Sequence, residues 1–396
     1  MSETQPTMNA AYPTRRWPVA APDGLVAAFL LAFLAAAGLF YVNIMAALVS
    51  GLVEGLGLTA REAGFVGSAN TYGAAVGALV VVFMVKRVAW RPVALAALTL
   101  LIVIDLFSPS ISHAPLLIAV RFIHGCIGGL LVGLSFALIA RTASPDRTFG
   151  MLLIVQFGLG GLATMTLPKL VPAFGHQILF WSLAAFSFVT LLMVPFLHDY
   201  PVGRLQRPIA KGPVRWRLLV PTLAALFLFQ AANMGLFAFI LDLAKHAGIG
   251  LDDASTAVGL STWVGISGSL LVVMFGTALG RCWPLFAGML LTLVGTVAFH
   301  WSGLGNVYLL ANCVTSITWA FVVSYLLGLC AAFDTTGRTA AIGGFVSKMG
   351  LASGPLMGAL FLDQNNYAPL INMAVVAFAI CTPLMLYPAR MLDAEH

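Results

Sequence analysis

Long apolar runs dominate this chain, and glycines, prolines and charged residues separate them at regular intervals. A helix of about 20 apolar residues crosses the hydrocarbon core of a bilayer. The pattern therefore predicts an all-α integral membrane protein with twelve transmembrane helices. Their predicted spans lie near residues 24–53, 62–85, 92–112, 115–140, 148–170, 177–197, 217–244, 254–279, 284–302, 306–331, 338–362 and 367–388.

The composition excludes a water-soluble fold. Hydrophobic residues make up 60% of the 396 positions and charged residues only 9%, against about 25% charged residues in a soluble domain. Residues 1–23 are polar and proline-containing, so they lack the apolar segment of a secretory signal. The pI near 9.2 is explained by membrane topology, and no nucleic-acid partner is expected.

Basic residues concentrate on one side of the predicted membrane. With the amino terminus inside, only Arg61, Lys169 and Lys245 fall in outer segments. The inner segments hold Arg15, Arg16, Lys86, Arg87, Arg91, Arg141, Arg147, Arg204, Arg207, Lys211, Arg215, Arg217, Arg281, Arg338 and Arg390. By the positive-inside rule we expect a multi-pass plasma-membrane protein, in bacteria the inner membrane, with cytoplasmic tails at residues 1–23 and 389–396.

A basic, proline-containing segment at residues 198–216 divides the apolar chain in two. It predicts a cytoplasmic linker between six-helix bundles at residues 24–197 and 217–388. Shifting one bundle onto the other by about 190 residues places Gln156-x-Gly158 on Lys348-x-Gly350, which is a weak internal repeat.

Four short motifs lie in loops and glycine-rich helices. Helix four carries Arg121-Phe-Ile-His-Gly125 followed by Gly128 and Gly129, and helix eleven carries Gly350-x-x-x-Gly354-Pro355-x-x-Gly358. Basic residues follow helix two, and Gly276-x-x-x-Gly280-Arg281 follows helix eight. With the six-plus-six arrangement, these features resemble the major facilitator superfamily. The resemblance implies two pseudo-symmetric bundles that rock around a midplane site for a small-molecule substrate.

The same glycines are small residues spaced for close helix packing, which any membrane protein uses. Gating also needs helices that slide closely against each other. We therefore predict a gating or packing role for one set of residues: Gly125, Gly129, Gly350, Gly354, Pro355, Gly358, Lys86, Arg87 and Arg91.

Three charges fall inside predicted helices, where each requires a partner, a hydrated cavity or a function. Asp105 and Arg121 lie eight residues on either side of His113, at the turn between helices three and four, so they should pair at the same depth. His124 is one turn from Arg121. The sequence leaves two interpretations open, a structural ion pair and a proton-coupling group formed by Asp105, Arg121 and His124.

Lys348 has no acidic residue at its depth in its own helix. We expect it to face a hydrated cavity, although a lysine can also extend along the helix towards the interface. With Arg121 it gives two buried cations against one acid, which favours a negatively charged substrate.

The resemblance implies that helices one, four, seven and ten line the central cavity. Polar residues there, with Gln156 on helix five, suit a solute that has polar and apolar parts. The predicted substrate-binding residues are Arg121, Lys348, Tyr41, Asn43, Gln156, Gln230, Asn233, Asn312, Ser316 and Trp319. Hydrogen bonds between helices would use the same residue types.

These observations predict a secondary transporter, a monomer that takes up a small organic anion with a proton. A proton-antiporting multidrug or metabolite exporter is the alternative, although helix five lacks the Gly-Pro element that the superfamily's antiporters carry. A sensor without transport remains a third class.

Enzymatic activity is not expected. Gly265-Ile266-Ser267-Gly268 has the form of an intramembrane protease motif, but His300 lies too far along the next helix to serve Ser267. The chain has no phosphate-binding loop for ATP. The five cysteines show no metal or disulfide spacing. No cofactor and no metal are predicted, and the cysteines are interpreted as packing residues.

Overall fold

The computed structural model describes residues 19–84, 88–142, 145–200, 214–275, 278–333, 338–362 and 366–395. These residues form fourteen α-helices. In chain order they are α1 (Leu25–Asn43), α2 (Met45–Leu56), α3 (Ala60–Met84), α4 (Trp90–Phe107), α5 (Ala114–Ile139), α6 (Pro145–Phe174), α7 (Gln177–Met193), α8 (Trp216–Ala238), α9 (Ile240–His246), α10 (Leu251–Phe275), α11 (Cys282–Ala298), α12 (Gly305–Ala332), α13 (Arg338–Phe361) and α14 (Ala368–Asp393). Lys86, Arg87 and most of the predicted linker lie outside the described residues.

The twelve-helix fold is confirmed, since α2 continues α1 and α9 continues α8 beyond a short break. Eleven helices of the described chain are long and apolar enough to cross a membrane. The twelfth crossing is α13, which is less apolar because it contains five glycines and Lys348 and which packs between α8 and α3.

Two predicted helices are interrupted where the sequence shows no sign of it. The span predicted at 24–53 breaks at Ile44, and the span predicted at 217–244 breaks at Phe239. Hydroxyls from other helices bond to carbonyls at the breaks. Thr164 donates to the Asn43 carbonyl at 3.2 Å, and Tyr308 donates to the Ile240 carbonyl at 3.0 Å. These bonds satisfy backbone groups that a bilayer would leave unpaired.

The last helix is longer than predicted. α14 runs to Asp393, into the segment predicted as a tail from residue 389. The Asp393 carboxylate accepts hydrogen bonds of 2.9 Å and 2.8 Å from the backbone N–H groups of Arg281 and Cys282. A carboxylate at the first N–H groups of a helix satisfies donors that have no intrahelical acceptor. This contact joins the end of α14 to the start of α11.

The described parts of both predicted tails and of the predicted linker (residues 19–23, 198–200, 214–216 and 389–395) lie at one end of the molecule, which we call the proximal end. Tyr200 donates a 3.0 Å hydrogen bond to the Pro22 carbonyl, and Arg215 pairs with Glu395 at 2.6 Å. Six crossings separate the amino terminus from the linker, and six more separate the linker from the last residues. The opposite end, where α2 and α9 finish, is called the distal end.

Each half of the molecule has its own apolar core, and a third apolar cluster joins the two halves. The amino-terminal half, α1 to α7, packs around residues such as Leu34 and Leu98. The carboxy-terminal half, α8 to α14, packs around residues such as Phe378. The shared cluster includes Ile44 and Phe239, at the two helix breaks. The halves therefore meet around the breaks.

Candidate transport cavity

A cavity of about 250 Å³ lies between the two halves, and its walls are mostly apolar. It is lined from the amino-terminal half by α1, α3, α5 and α6 and from the carboxy-terminal half by α8, α9, α10, α12 and α13. Seven of the predicted substrate-binding residues line it: Asn43, Gln156, Asn233, Asn312, Ser316, Trp319 and Lys348. Tyr41, Gln230 and Arg121 do not line it.

The amino-terminal half contributes a pair of amides that bind each other. The Asn43 side chain donates to the Gln156 backbone carbonyl at 3.1 Å, and the Gln156 side chain donates to Asn43 Oδ1 at 3.1 Å. These reciprocal bonds hold both side chains in place next to the break in α1. The pair is a fixed polar patch on an otherwise apolar wall.

Trp319 is held in the opposite wall by a buried glutamine. Its indole Nε1 donates to Gln230 Oε1 at 2.7 Å, and Gln230 Nε2 donates to Ser347 Oγ at 2.7 Å. Gln230 itself is only 2% exposed. Its role is therefore to position the indole, which meets the Phe157 ring across the cavity with 6.1 Å between ring centroids.

Asn233 and Asn312 contribute amide side chains to the cavity lining. The Asn233 amide nitrogen donates to the Phe229 carbonyl at 2.8 Å, and that of Asn312 donates to the Tyr308 carbonyl at 2.9 Å. Each nitrogen uses one of its two N–H donors on its own helix, so each amide keeps a carbonyl acceptor and a second N–H donor for a ligand.

Lys348 is the charged residue in the cavity wall. It lies near the midpoint of α13, and its Nζ atom is 5.7 Å from the centre of the Phe136 ring of the other half. The ion pairs of the described residues include none to Lys348. A cation over an aromatic face is attracted by the ring, and this contact leaves the ammonium group without an anionic partner among the described residues.

The predicted pairing of Asp105 with Arg121 is confirmed. Arg121 Nη1 donates to Asp105 Oδ1 at 2.6 Å and to Ser108 Oγ at 3.1 Å, while His124 Nε2 lies 3.1 Å from the same carboxylate. Asn70 on α3 contacts His124 Nδ1 at 2.8 Å. We call Asp105, Arg121 and His124 the buried triad.

Aromatic rings enclose the buried triad. The Arg121 guanidinium lies 4.8 Å from the Tyr41 ring centre and 5.5 Å from that of Phe180. Arg121 is 0% exposed and Asp105 is 1% exposed. Arg121 was expected to contact substrate, but it faces these rings and its carboxylate partner instead. Its charge is therefore balanced away from the cavity.

A family comparison and a structural comparison agree with this architecture. Residues 28–241 match the family model of the Major Facilitator Superfamily, which is more than half of the chain. This chain belongs to the major facilitator superfamily. It is a transporter and not an enzyme, and its substrates are small molecules that cross a lipid bilayer. No curated protein sequence matches the chain.

Solved structures share the superfamily fold at low identity. The nucleoside transporter NupG is 13% identical and superposes with a TM-score of 0.72, covering 94% of this chain and 99% of NupG. The inward-open xylose transporter XylE from E. coli is 15% identical with a TM-score of 0.68, covering 89% of this chain and 94% of XylE. A structure of the D-xylose-proton symporter, 16% identical, has a TM-score of 0.69 and covers 89% of this chain and 97% of its own.

The superfamily motifs on helices four and eleven are close-packing sites here. A Cβ atom added at Gly125 or Gly129 of α5 would collide with the Asn70 or Ala74 carbonyl of α3. Gly350, Gly354 and Gly358 face α8, where added Cβ atoms would meet its backbone. Pro355 places its carbonyl beside Gly64 of the other half.

Arg91, the basic motif residue that the structure describes, makes its contacts within its own half. It donates to the Leu197 carbonyl and pairs with Asp199.

Hydrogen bonds between the halves lie between the midplane and the distal end among the described residues. Tyr72 and Ser353 share a 2.6 Å hydrogen bond, and Ser68 accepts the Leu356 N–H at 2.7 Å. Nearer the distal end, Lys169 donates to Thr256 Oγ1 at 2.8 Å. The described conformation is therefore closed at the distal end.

Sequence reasoning missed several residues around these sites. Thr71, Thr262 and Thr315 line the cavity, but their hydroxyls donate to carbonyls of their own helices. The resemblance directed attention to helices one, four, seven and ten, whereas α3 and α10 also form walls. Asn70, the partner of His124, carried no signal apart from being an amide in an apolar helix.

Proposed function

We propose that this transporter moves a small organic anion, together with a proton, by alternating access between its two halves. The observation that carries the proposal is Lys348, a cation in a mostly apolar cavity with no ion-pair partner among the described residues. An uncompensated charge within a membrane protein is costly unless a ligand or water stabilises it. A substrate carboxylate would do so.

The other groups of the cavity suit the rest of such a solute. The amide oxygens of Asn233 and Asn312 accept hydrogen bonds from hydroxyl or amine groups. The fixed Trp319 ring and the Phe157 ring give an apolar surface. A site with a few polar groups in an apolar lining is typical of small-molecule pockets. We therefore infer a carboxylate that carries an apolar or aromatic body.

Proton coupling is proposed on two grounds. The chain carries no phosphate-binding loop, so an ion gradient must supply the energy. One structural neighbour is described as a D-xylose-proton symporter. The buried triad is a proposed coupling group, although the hydrogen bonds among its members and the absence of all three from the cavity lining favour a structural role.

The proposed orientation places the proximal end in the cytoplasm, because inner segments carry most of the basic residues. The distal-closed conformation would then be inward-facing. A monomer in the plasma membrane, in bacteria the inner membrane, is part of the same proposal.

Uptake by proteoliposomes with an inward proton gradient tests the function. Organic acids, amino acids, sugars and cationic dyes are offered one at a time, and lumenal pH is followed. We expect acids with an apolar body to enter. Because a proton enters with each anion, the lumen should become more acidic than in empty liposomes that receive the same gradient. Lys348→Gln should abolish saturable uptake, Lys348→Arg should keep part of it, and Lys211→Gln in the predicted linker serves as control.

Two results would contradict the proposal. Wild-type uptake rates in Lys348→Gln would remove the lysine from the site. Transport restricted to cationic or neutral drugs, with protons moving in the opposite direction, would instead establish the exporter alternative, which the apolar cavity walls also accommodate.

A further inference from the structure

Two polar contacts join the halves where α2 meets α9 at the distal end. Ser50 Oγ donates to Asp242 Oδ1 at 2.8 Å. One turn further, Lys245 Nζ pairs with Glu54 Oε1 at 2.5 Å. These four residues, Ser50, Glu54, Asp242 and Lys245, are called the distal latch. Because α2 and α9 belong to different halves, opening of the distal end must break both contacts.

The two contacts of the distal latch differ in exposure. The side chains of Glu54 and Lys245 are 32% and 64% exposed, as in ordinary surface ion pairs. Asp242 is 6% exposed, and its Oδ2 atom has no hydrogen-bond partner. Burying a carboxylate with one unpaired oxygen carries a large desolvation cost, which protonation removes.

Asp242 has a mixed set of charged and titratable neighbours. It lies in α9, beyond the membrane-spanning segment that ends at Ala238. Its neighbours are Glu54 on α2, Lys245 and His246 on α9, Tyr308 on α12 and Tyr367 before α14, and the exposed Asp252 and Asp253 begin α10. Burial raises the pKa of Asp242 to about 6, and Glu54 acts in the same direction. The Ser50 hydrogen bond, Lys245 and His246 lower it.

We propose that Asp242 takes up a proton from the distal compartment when the two halves close there, so that closing of the distal latch is itself a proton-binding step. In the open form α2 and α9 separate, and water and counter-ions reach the carboxyl group. This inference deepens the proposed function, because it rests on proton coupling and names the group that responds to the proton.

The direction of the pH effect follows from linkage. In the open form the carboxyl group has its ordinary pKa near about 4, whereas closure raises it. The closed form therefore binds the proton more tightly, and it gains on the open form as pH falls from about 6 to about 4. The closed-to-open ratio should rise at most tenfold per pH unit in that window, or roughly 100-fold in total. Above about pH 6 and below about pH 4 the closed-to-open ratio should not change with pH.

The test measures the distance between the halves without any solute. Spin labels at Arg61→Cys on α3 and Asp253→Cys on α10 report the distal separation by pulsed electron resonance, in nanodiscs and in a variant whose five native cysteines are replaced. We expect the wild-type population to shift towards the short distance as pH falls from 6 to 4. Asp242→Asn, an uncharged isostere, should stay at the short distance at every pH.

Matched variants separate Asp242 from its neighbours. Ser50→Ala removes a bond that favours the charged form, so its transition should move to higher pH. Glu54→Gln and His246→Asn should keep a transition, because each leaves the Asp242 carboxyl group in place. If Asp242→Asn fails to fold, the Ser50→Ala shift still tests the proposal.

Other outcomes would overturn the inference. A wild-type distance that does not change with pH, a full response in Asp242→Asn, or loss of the response in His246→Asn would each do so. Lys348→Gln should respond like the wild type, since no solute is present. Failure of anion transport and failure of the distal latch are therefore distinguishable.

Discussion

Trp319 donates its indole N–H to Gln230 at 2.7 Å, and this bond fixes the largest aromatic side chain in the cavity wall. Gln230 is bonded in turn to Ser347 on α13. Three helices, α8, α12 and α13, therefore meet through one glutamine. A change in the position of α13, which carries Lys348, would be transmitted to the indole.

Replacement of Gln230 tests this arrangement. Gln230→Leu removes the acceptor of the Trp319 N–H and the donor to Ser347 Oγ, at a cost of about 1–3 kcal/mol. If that cost is paid only in the bound state, the KM for the transported solute should rise roughly 5- to 150-fold. Initial uptake rates in proteoliposomes measure it.

The control is Trp283→Phe, which changes a tryptophan that is 73% exposed and does not line the cavity. Its KM should match that of the wild type. An unchanged KM in Gln230→Leu would show that the indole does not need its hydrogen bond to bind solute.

Single substitutions in the buried triad should destabilise the protein. Asp105→Asn leaves the Arg121 charge buried without its carboxylate, and Arg121→Gln leaves the Asp105 carboxylate buried without its guanidinium partner. Removing one member of a buried ion pair costs about 3–5 kcal/mol. We expect a lower unfolding temperature for each single variant in detergent, and a partial recovery in the double variant. Thermal unfolding followed by size-exclusion chromatography measures this.

Transport assays separate the structural and coupling roles of the triad. If the triad has only a structural role, the Asp105→Asn protein that folds should keep the wild-type ratio between its rate of gradient-driven uptake and its rate of solute exchange. Loss of gradient-driven uptake with intact solute exchange would instead assign proton coupling to the triad. It would then contradict the structural interpretation.

Close packing of α5 against α3 should not tolerate a larger residue at Gly129. A Cβ atom there meets the Ala74 carbonyl, which belongs to a helix backbone and cannot move aside alone. Gly129→Ala should therefore lower the unfolding temperature and the yield, at the 1–3 kcal/mol scale typical of overpacking. Gly328→Ala on α12, where no atom lies within 4 Å of an added Cβ, is the matched control. Equal stability of the two variants would show that α5 and α3 can separate freely.

Features that depend only on the order of residues along one or two neighbouring helices could be predicted from the sequence. Apolar run lengths predicted the helices, and equal spacing from His113 predicted the pairing of Asp105 with Arg121. The isolated position of Lys348 in its own helix led to the expectation that it faces a cavity, where the structure places it. Each of these inferences needs only the rise of a helix and the cost of a buried charge.

Features that depend on distant partners were not predictable. The break at Ile44 involves a carbonyl that Thr164 bonds from α6, 121 residues away from Asn43. Arg121 was assigned to the cavity because nothing in the sequence shows that Tyr41 and Phe180 enclose it. Ser50 and Asp242 are 192 residues apart, and neither residue by itself indicates that the two form a hydrogen bond.

The contact of Asp393 with the start of α11 bears on how the carboxy-terminal half assembles during synthesis of the chain. Cys282 leaves the ribosome 111 residues before the carboxylate that accepts its N–H. Until α14 is inserted, the N–H groups of Arg281 and Cys282 lack the carboxylate that accepts them in the folded protein. The start of α11 therefore gains its carboxylate acceptor only with the last helix, and a fusion that displaces Asp393 would remove this link between α11 and α14.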